Sequence, residues 1–246
     1  MGLPKLNTVE YFGTLPISKI EVKYRPFNVK EQKILLQSLE EGEVKGIQHG
    51  LISLLRACCD LQDSRLKIEQ LSNTDLEWLF IQIRMKSVGE TTKVMLGCHN
   101  QESCDGQTPI TIDFNEMKIE GEIGEEKVQL NDKVGVVLRV PSYKDIQTIT
   151  NNMKNPAEEA FSTEVVFQIL NRCIVQIFDE NTVHDASDFS GEEIDSFIDD
   201  LTLDQFNKMM EWYESVPKMV YNAEFKCDKC GLEQSQELTG LQSFFA

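Results

Sequence analysis

The stretch Cys227-Asp228-Lys229-Cys230-Gly231 decides how this chain folds. Two cysteines that are separated by two residues and followed by glycine are typical of a zinc knuckle, a tight turn that places both sulfurs on one side. A structural zinc site needs four ligands, so the motif predicts a second pair of ligands elsewhere in the chain. Cys98 and Cys104 are the best candidates, with His99 as a substitute for one sulfur.

Each cysteine pair is expected to lie at the turn of a β-hairpin. Strand patterns over 91–96 and 109–114 flank the first pair, and patterns over 219–225 and 233–238 flank the second. Two such hairpins that share one zinc ion form a zinc ribbon. The site would be closed and structural, because no ligand position stays open for water.

The alternatives to zinc are free surface thiols and a redox pair. The five residues between Cys98 and Cys104 are more than the usual spacing of roughly two to four, which weakens the zinc interpretation. A redox dithiol would be expected at a helix N-terminus, where the dipole lowers the thiol pKa, whereas strands flank the knuckle here.

The remaining periodicity predicts an α+β fold. A strand is expected over 20–24, and helices over 28–39, 44–58 and from Thr74 to the residues before Gly89. Between the hairpins we expect strands over 127–130 and 134–140, and helices that begin at Ser142, near Pro156 (running to Phe178), at Ser190 and at Thr202. Residues 115–126 are predicted to be a flexible link.

Three regions follow from this pattern. Residues 1–90 would hold a strand and three helices, residues 91–140 and 218–246 would form the β and zinc-ribbon region, and residues 141–217 would form an acidic helical region. The helical region would therefore be an insertion between two zinc-ribbon-like hairpins.

Composition limits the classes of function. The formal net charge of −17 disfavours nucleic acid as a partner, because a phosphate backbone needs a basic surface. No apolar run has the length of a membrane span and no signal peptide is evident, so we expect a cytosolic protein without membrane contact. Seven cysteines in a reducing compartment indicate buried thiols and metal ligands rather than disulfides.

An acidic segment stands out within this composition. Residues 179–204 contain ten Asp or Glu and no Lys or Arg. The segment is either a solvated surface or a docking surface for a basic partner. No common catalytic motif is present in the chain, which favours a protein that is not an enzyme.

Three stretches carry a resemblance to a known family. They are Tyr24-Arg25-Pro26-Phe27 continuing to Leu36, Asp75 to Glu90, and Leu238 to Phe245. Together they resemble the baseplate hub subunit and hub assembly family of T-even-type contractile-tailed bacteriophages. The resemblance implies a late viral protein without enzymatic activity that acts in the host cytoplasm during baseplate hub formation. It implies baseplate hub and tape-measure proteins as partners, and either a place in the virion tail baseplate or a role as an assembly chaperone.

Five residues of these stretches are candidates for partner contacts: Arg25, Phe27, Arg84, Phe244 and Phe245. The arginines have an alternative, which is pairing with neighbouring carboxylates inside the fold. The two terminal phenylalanines either anchor in a partner or pack on their own domain. Two other functions stay open, a zinc-ribbon adaptor protein in transcription or another regulatory complex, and an enzyme that uses the cysteines in redox chemistry.

Overall fold

The computed structural model describes residues 8–41, 44–62, 66–100, 104–151, 153 and 162–240. The fold is α+β, as predicted. The helices are α1 (Val29–Glu41), α2 (Val44–Cys58), α3 (Asn73–Ser87), α4 (Tyr143–Thr150), α5 (Thr163–Cys173), α6 (Gly191–Asp199) and α7 (Leu203–Ser215). The strands are β1 (Tyr11–Thr14), β2 (Glu21–Tyr24), β3 (Cys59–Leu61), β4 (Thr91–Gly97), β5 (Gln107–Asp113), β6 (Lys118–Glu120), β7 (Lys127–Gln129), β8 (Gly135–Leu138), β9 (Ile174–Phe178), β10 (Val183–Asp185), β11 (Lys218–Lys226) and β12 (Glu233–Thr239).

The chain divides into two compact units. The ribbon unit comprises Met1–Ile68, Thr74–Glu120 and Lys218–Ala246, and the inserted unit comprises Glu69–Asn73 and Gly121–Pro217. Charge is distributed unevenly between them. The sequence of the inserted unit has 21 Asp and Glu against seven Lys and Arg, so it carries −14 of the formal net charge of −17.

The N-terminal part of the ribbon unit combines a small sheet with helices. Its antiparallel strands lie in the order β1-β2-β3. Val22 and Tyr24 point inward from β2, as their alternation with charged residues predicts. Asn28 precedes α1, and its side-chain oxygen accepts a hydrogen bond from the N–H of Lys30. The helices predicted from 28–39 and 44–58 are confirmed as α1 and α2.

Two antiparallel hairpins form the rest of the ribbon unit. Strands β4 and β5 pair from Thr91↔Asp113 to Gly97↔Gln107, and β11 and β12 pair from Val220↔Thr239 to Lys226↔Glu233. The predicted flexible link over 115–126 is wrong for β6, which pairs with β11 through Met219↔Ile119. Lys118–Glu120 is ordered by its hydrogen bonds to β11. A strand of three residues has too short a pattern to be predicted from its own sequence.

The inserted unit contains a four-stranded antiparallel sheet in the order β10-β9-β8-β7, together with α4 to α7. Its core includes Leu138, Leu170, Cys173, Ile198 and Met209. The helix predicted to run to Phe178 is wrong beyond Cys173, because 174–178 form β9 between β8 and β10. The largely apolar run Ile-Val-Gln-Ile-Phe is compatible with a helix or with a strand. It forms a strand because it pairs with β8 and β10. The beginning predicted near Pro156 lies outside the described residues.

Three helices of the inserted unit begin where the sequence predicts. Ser142, Ser190 and Thr202 form capping boxes with Asp145, Glu193 and Gln205, and thereby fix the starts of α4, α6 and α7. None of the helices in the described part of the chain is long and apolar enough to cross a membrane.

The division into three regions stays a prediction. Its boundary after residue 140 falls between β8 and β9, which are paired strands of one sheet, in the register Val136↔Ile177.

Candidate metal centre

Four cysteine sulfurs converge at the turns of the two hairpins. The sulfur of Cys98 lies 3.6 Å from that of Cys230, the sulfur of Cys104 lies 3.8 Å from that of Cys227, and all four lie within 4.8 Å of one another. A tetrahedron with Zn–S bonds of about 2.3 Å has sulfur–sulfur edges of about 3.8 Å. The donor set and its spacing therefore fit a tetrahedral zinc ion.

The turn after β4 places the first pair of sulfurs. The N–H of Cys98 donates to the carbonyl of Gly106 at 2.9 Å, which closes the turn. The N–H of Cys104 donates to the carbonyl of Asn100 at 2.7 Å, and the N–H of Gly106 donates to the Cys104 sulfur at 3.4 Å. Although five residues separate Cys98 and Cys104, both side chains therefore lie on one side of the turn.

The turn after β11 places the second pair. The N–H of Cys227 donates to the carbonyl of Leu232 at 2.8 Å, and the N–H of Gly231 donates to the carbonyl of Cys227 at 2.9 Å. Gly231 has a φ of 75°, a left-handed conformation that glycine adopts without a Cβ clash. The predicted knuckle is present, with Cys227 buried and Cys230 exposed.

Polar contacts hold the two turns against each other. The N–H of His99 donates to Oε1 of Gln234 at 2.8 Å, and the N–H of Asp228 donates to Oγ1 of Thr108 at 3.1 Å. The ammonium group of Lys229 pairs with the Asp105 carboxylate. Sequence reasoning missed Gln234 and Thr108, because no local pattern marks either residue as a support of the cluster.

The space between the turns also requires a glycine. A Cβ atom on Gly106 would lie 2.6 Å from the Cys227 sulfur and 3.1 Å from the Cys104 sulfur. Any larger residue at this position would displace a sulfur of the cluster.

The thiols of the cluster differ in pKa. Backbone N–H groups of Cys230 and Lys229 lower the pKa of the Cys227 thiol to about 6. The N–H of Asn100 lowers the pKa of Cys98, but burial and the neighbouring cysteine side chains outweigh it and raise that pKa to about 12. Without a cation the four sulfurs would not all be thiolates near neutral pH. A divalent metal would stabilise the charged form of every ligand.

Other candidate ligands lie apart from this cluster. The His99 side chain is exposed and does not belong to the group of converging ligand atoms. Cys58 and Cys173 are buried elsewhere, and burial raises their pKa values to about 11 and about 12. These two thiols are therefore core residues.

The arginines proposed for partner contacts have intramolecular contacts. Arg25 donates to the Glu31 carboxylate and to the Ala57 carbonyl, both at 2.8 Å. Arg84 donates to the Gly89 carbonyl at 2.9 Å, and its guanidinium lies 4.5 Å from the ring centre of Phe114. A role of either residue in partner binding stays a prediction.

Of the three phenylalanines proposed for partner contacts, only Phe27 lies within the described residues. Phe27 is half-buried, and its N–H donates to Oγ of Ser87 at 3.0 Å. Phe244 and Phe245 lie outside the described residues. Partner contacts of all three rings stay a prediction.

Fold and site define an α+β protein with a zinc-ribbon-like cluster of four cysteines. The family model described as T4 bacteriophage base plate protein matches residues 7–246, and the chain belongs to this family. The family confirms the resemblance at the level of a T4-type baseplate protein. It gives the chain a structural role in a phage baseplate, in association with other baseplate proteins. No curated protein and no solved structure matches the chain.

Proposed function

We propose that this protein acts in assembly of the baseplate hub, as a hub subunit or as an assembly chaperone, through contacts with hub and tape-measure proteins. The observation that carries the proposal is the family match over residues 7–246. The stretches that resemble hub subunits and hub assembly proteins lie within that range, at 24–36, 75–90 and 238–245. The protein would act in the host cytoplasm during assembly and, if it is a subunit, remain in the tail baseplate.

The proposed role of the four-cysteine cluster is to hold a structural zinc ion. The spacing of the sulfurs and the donor set of four cysteines support this role. The ligands come from residues 98–104 and 227–230, so zinc would fix the turn after β4 to the turn after β11. A rigid frame of this kind suits a protein that presents surfaces to partners.

We also propose that the protein has no enzymatic activity. The cluster sulfurs lie in turns between strands, and a zinc ion bound to all four would leave no open position for water or substrate. The raised pKa values of Cys58 and Cys173 argue against nucleophilic chemistry at those thiols.

A phage that lacks the gene tests the assembly role. The expected lysate contains few or no assembled hubs, and a plasmid copy of the gene restores them. Co-expression with each hub and tape-measure protein, followed by affinity capture, should recover at least one of them in a stable complex. Normal baseplates in the deletion lysate would contradict the proposal.

Purified tails separate the two forms of the proposal. Quantitative mass spectrometry should find the protein in a fixed ratio to other baseplate proteins if it is a hub subunit. An assembly chaperone would be required for hub formation and yet be missing from purified tails.

A further inference from the structure

The inserted unit contains a groove between α5 and α6 that the baseplate role does not by itself explain. The groove has a volume of about 420 Å³ and lies open to solvent. Asn171 of α5 bridges its walls, because its amide donates to the Asp195 carboxylate at 2.5 Å and to the Gly191 carbonyl at 3.2 Å. The two helices are thereby held at a fixed separation around the groove.

Two apolar side chains are among the residues that line the groove. Phe167 is half-buried and stacks on Phe206 of α7, with ring centres 4.5 Å apart. Ile198 comes from α6 and is buried. Phe167 therefore offers an apolar contact inside a groove whose other side chains are mostly polar or charged.

Carboxylates form the rim. Glu164, Asp195 and Asp199 line the groove and are exposed, while Arg172 is the cation among its lining residues. The surrounding sequence strengthens the negative charge, since residues 179–204 contain ten acidic residues and no Lys or Arg. The whole inserted unit carries a net charge of −14. Such a field attracts and orients cationic partners.

We propose that this groove docks a cationic amphipathic segment of a partner protein in the baseplate. An apolar side chain of the segment would lie on Phe167, and its Lys or Arg side chains would pair with Asp195, Asp199 and Glu164. An amphipathic helix that enters a groove in this way is a common mode of peptide recognition. The inference rests on the proposed assembly function, because it names the chemistry of the partner's contact segment.

A labelled peptide tests the chemistry directly with the full-length protein. The probe is a short fluorescein-labelled peptide with Leu and Lys at helical spacing, and the comparison peptide has Glu in place of Lys. Fluorescence anisotropy should show binding of the Lys peptide with a dissociation constant on the order of 10 μM at low salt, and no binding of the Glu peptide.

Two substitutions locate the binding site, and a third controls for net charge. Asp199→Lys reverses a rim charge at the C-terminal end of α6, where a cation is also favourable for the helix. Glu164→Lys reverses a second exposed rim charge, on α5. The control is Asp132→Lys, which makes the same change of charge at an exposed residue of the inserted unit that does not line the groove.

Each substitution in the groove should weaken binding of the Lys peptide by about tenfold, while Asp132→Lys should weaken it by less than about twofold. Unchanged melting temperatures would establish that all three variants fold. The proposal is overturned if the Lys peptide does not bind, or if Asp199→Lys and Asp132→Lys weaken binding equally, since the attraction would then come from net charge alone.

Complementation of the deletion phage separates this inference from the function on which it rests. Asp132→Lys should restore assembled hubs, and Asp199→Lys should not. If Asp199→Lys restores hubs to the wild-type level, the groove proposal fails and the assembly function stands. If the deletion phage assembles normal hubs, the assembly function fails, whatever the peptide measurements show.

Discussion

The sulfur of Cys98 lies 3.6 Å from the sulfur of Cys230, although 132 residues separate the two cysteines in sequence. The sulfurs of Cys104 and Cys227 make the second contact of this kind, at 3.8 Å. Both contacts join one hairpin to the other, so a metal ion at their centre would close a long loop of chain. Closing such a loop limits the conformations of the unfolded chain, and a metal that binds only the folded state adds its binding free energy to stability.

Removal of one ligand should therefore destabilise the fold. Cys104→Ser leaves three sulfurs, and we expect the zinc content of the purified protein to fall well below one ion per chain. The free energy of unfolding should fall by about 3 kcal/mol or more, because metal binding is part of folding. Elemental analysis measures the zinc content, and denaturant unfolding measures the stability.

Cys59→Ser is the matched control for that variant. Cys59 is a free cysteine on β3 and does not belong to the four-sulfur group. Its substitution should leave one zinc ion per chain. Equal zinc content in the Cys104→Ser and Cys59→Ser proteins would argue against the assigned ligands.

Gly106 should be as sensitive to substitution as a ligand. In Gly106→Ala the new Cβ would lie 2.6 Å from the Cys227 sulfur, so the turn or the sulfur must move. We expect zinc affinity to fall by about tenfold or more, as it does when residues that support metal ligands are changed. Competition with a chromophoric chelator measures the affinity.

Gly191→Ala provides the comparison for that substitution. A Cβ on Gly191 would meet nothing within 4 Å. Zinc affinity should stay at the wild-type value in this variant. A Gly106→Ala protein with wild-type zinc affinity would contradict the predicted clash between the new Cβ and the Cys227 sulfur.

The sequence predicted the convergence of the four cysteines better than it predicted the elements around them, and the bound metal stays a prediction. The C-x₂-C-Gly motif and the strand patterns beside both pairs led to Cys98, Cys104, Cys227 and Cys230, because knuckle chemistry is local in sequence. Capping residues such as Ser142, Ser190 and Thr202 also act locally, and the helices that they begin were predicted correctly.

The errors arose where distant strands decide the structure. Ile174–Phe178 forms a strand because β8 and β10 pair with it, and Lys118–Glu120 does so because β11 is its neighbour. Gln234 supports the Cys98 turn from 135 residues away. Cysteine pairs at such a range are marked by their residue type and local spacing, whereas strand pairing and single hydrogen bonds at the same range leave no pattern in a single sequence.

The two tryptophans allow the units to be followed separately. Trp78 belongs to the ribbon unit, which contains the four cysteines, and Trp212 belongs to the inserted unit. Two variants, Trp212→Phe and Trp78→Phe, each leave one reporter. Because zinc would stabilise the unit that holds its ligands, a chelator should lower the denaturation midpoint reported by Trp78 and leave the midpoint reported by Trp212 unchanged.

The wild-type protein with both tryptophans gives the reference for this experiment. It should show two transitions after zinc removal, because the units then differ in stability. A single transition that shifts equally at both reporters would show that the units unfold together.

The Arg25–Glu31 pair gives a prediction about acid stability. Glu31 is buried, and burial alone raises its pKa. Hydrogen bonds from Arg25 and from the N–H of Asn28 outweigh burial and lower that pKa below its ordinary value of 4.5. The ionised carboxylate therefore stabilises the fold above pH 4.5, and this contribution is lost as the pH falls through the lowered pKa of the folded state.

The substitution Glu31→Gln should show this dependence. At pH 7 it should reduce the free energy of unfolding by about 1–2 kcal/mol, and the difference from wild type should shrink as the pH falls below the ordinary carboxylate pKa. Glu10→Gln, which alters an exposed carboxylate paired with Lys23, should have almost no effect at either pH. A difference between Glu31→Gln and wild type that stays constant from pH 7 to pH 3 would contradict the proposed role of the ion pair.

X-ray absorption at the zinc edge of the purified protein tests the central claim most directly. We predict one zinc ion per chain, surrounded by four sulfur atoms at about 2.3 Å. A shell of three sulfurs and one nitrogen would contradict the four-cysteine set and point to His99. Protein purified in the presence of zinc that shows no sulfur shell would contradict the zinc centre itself.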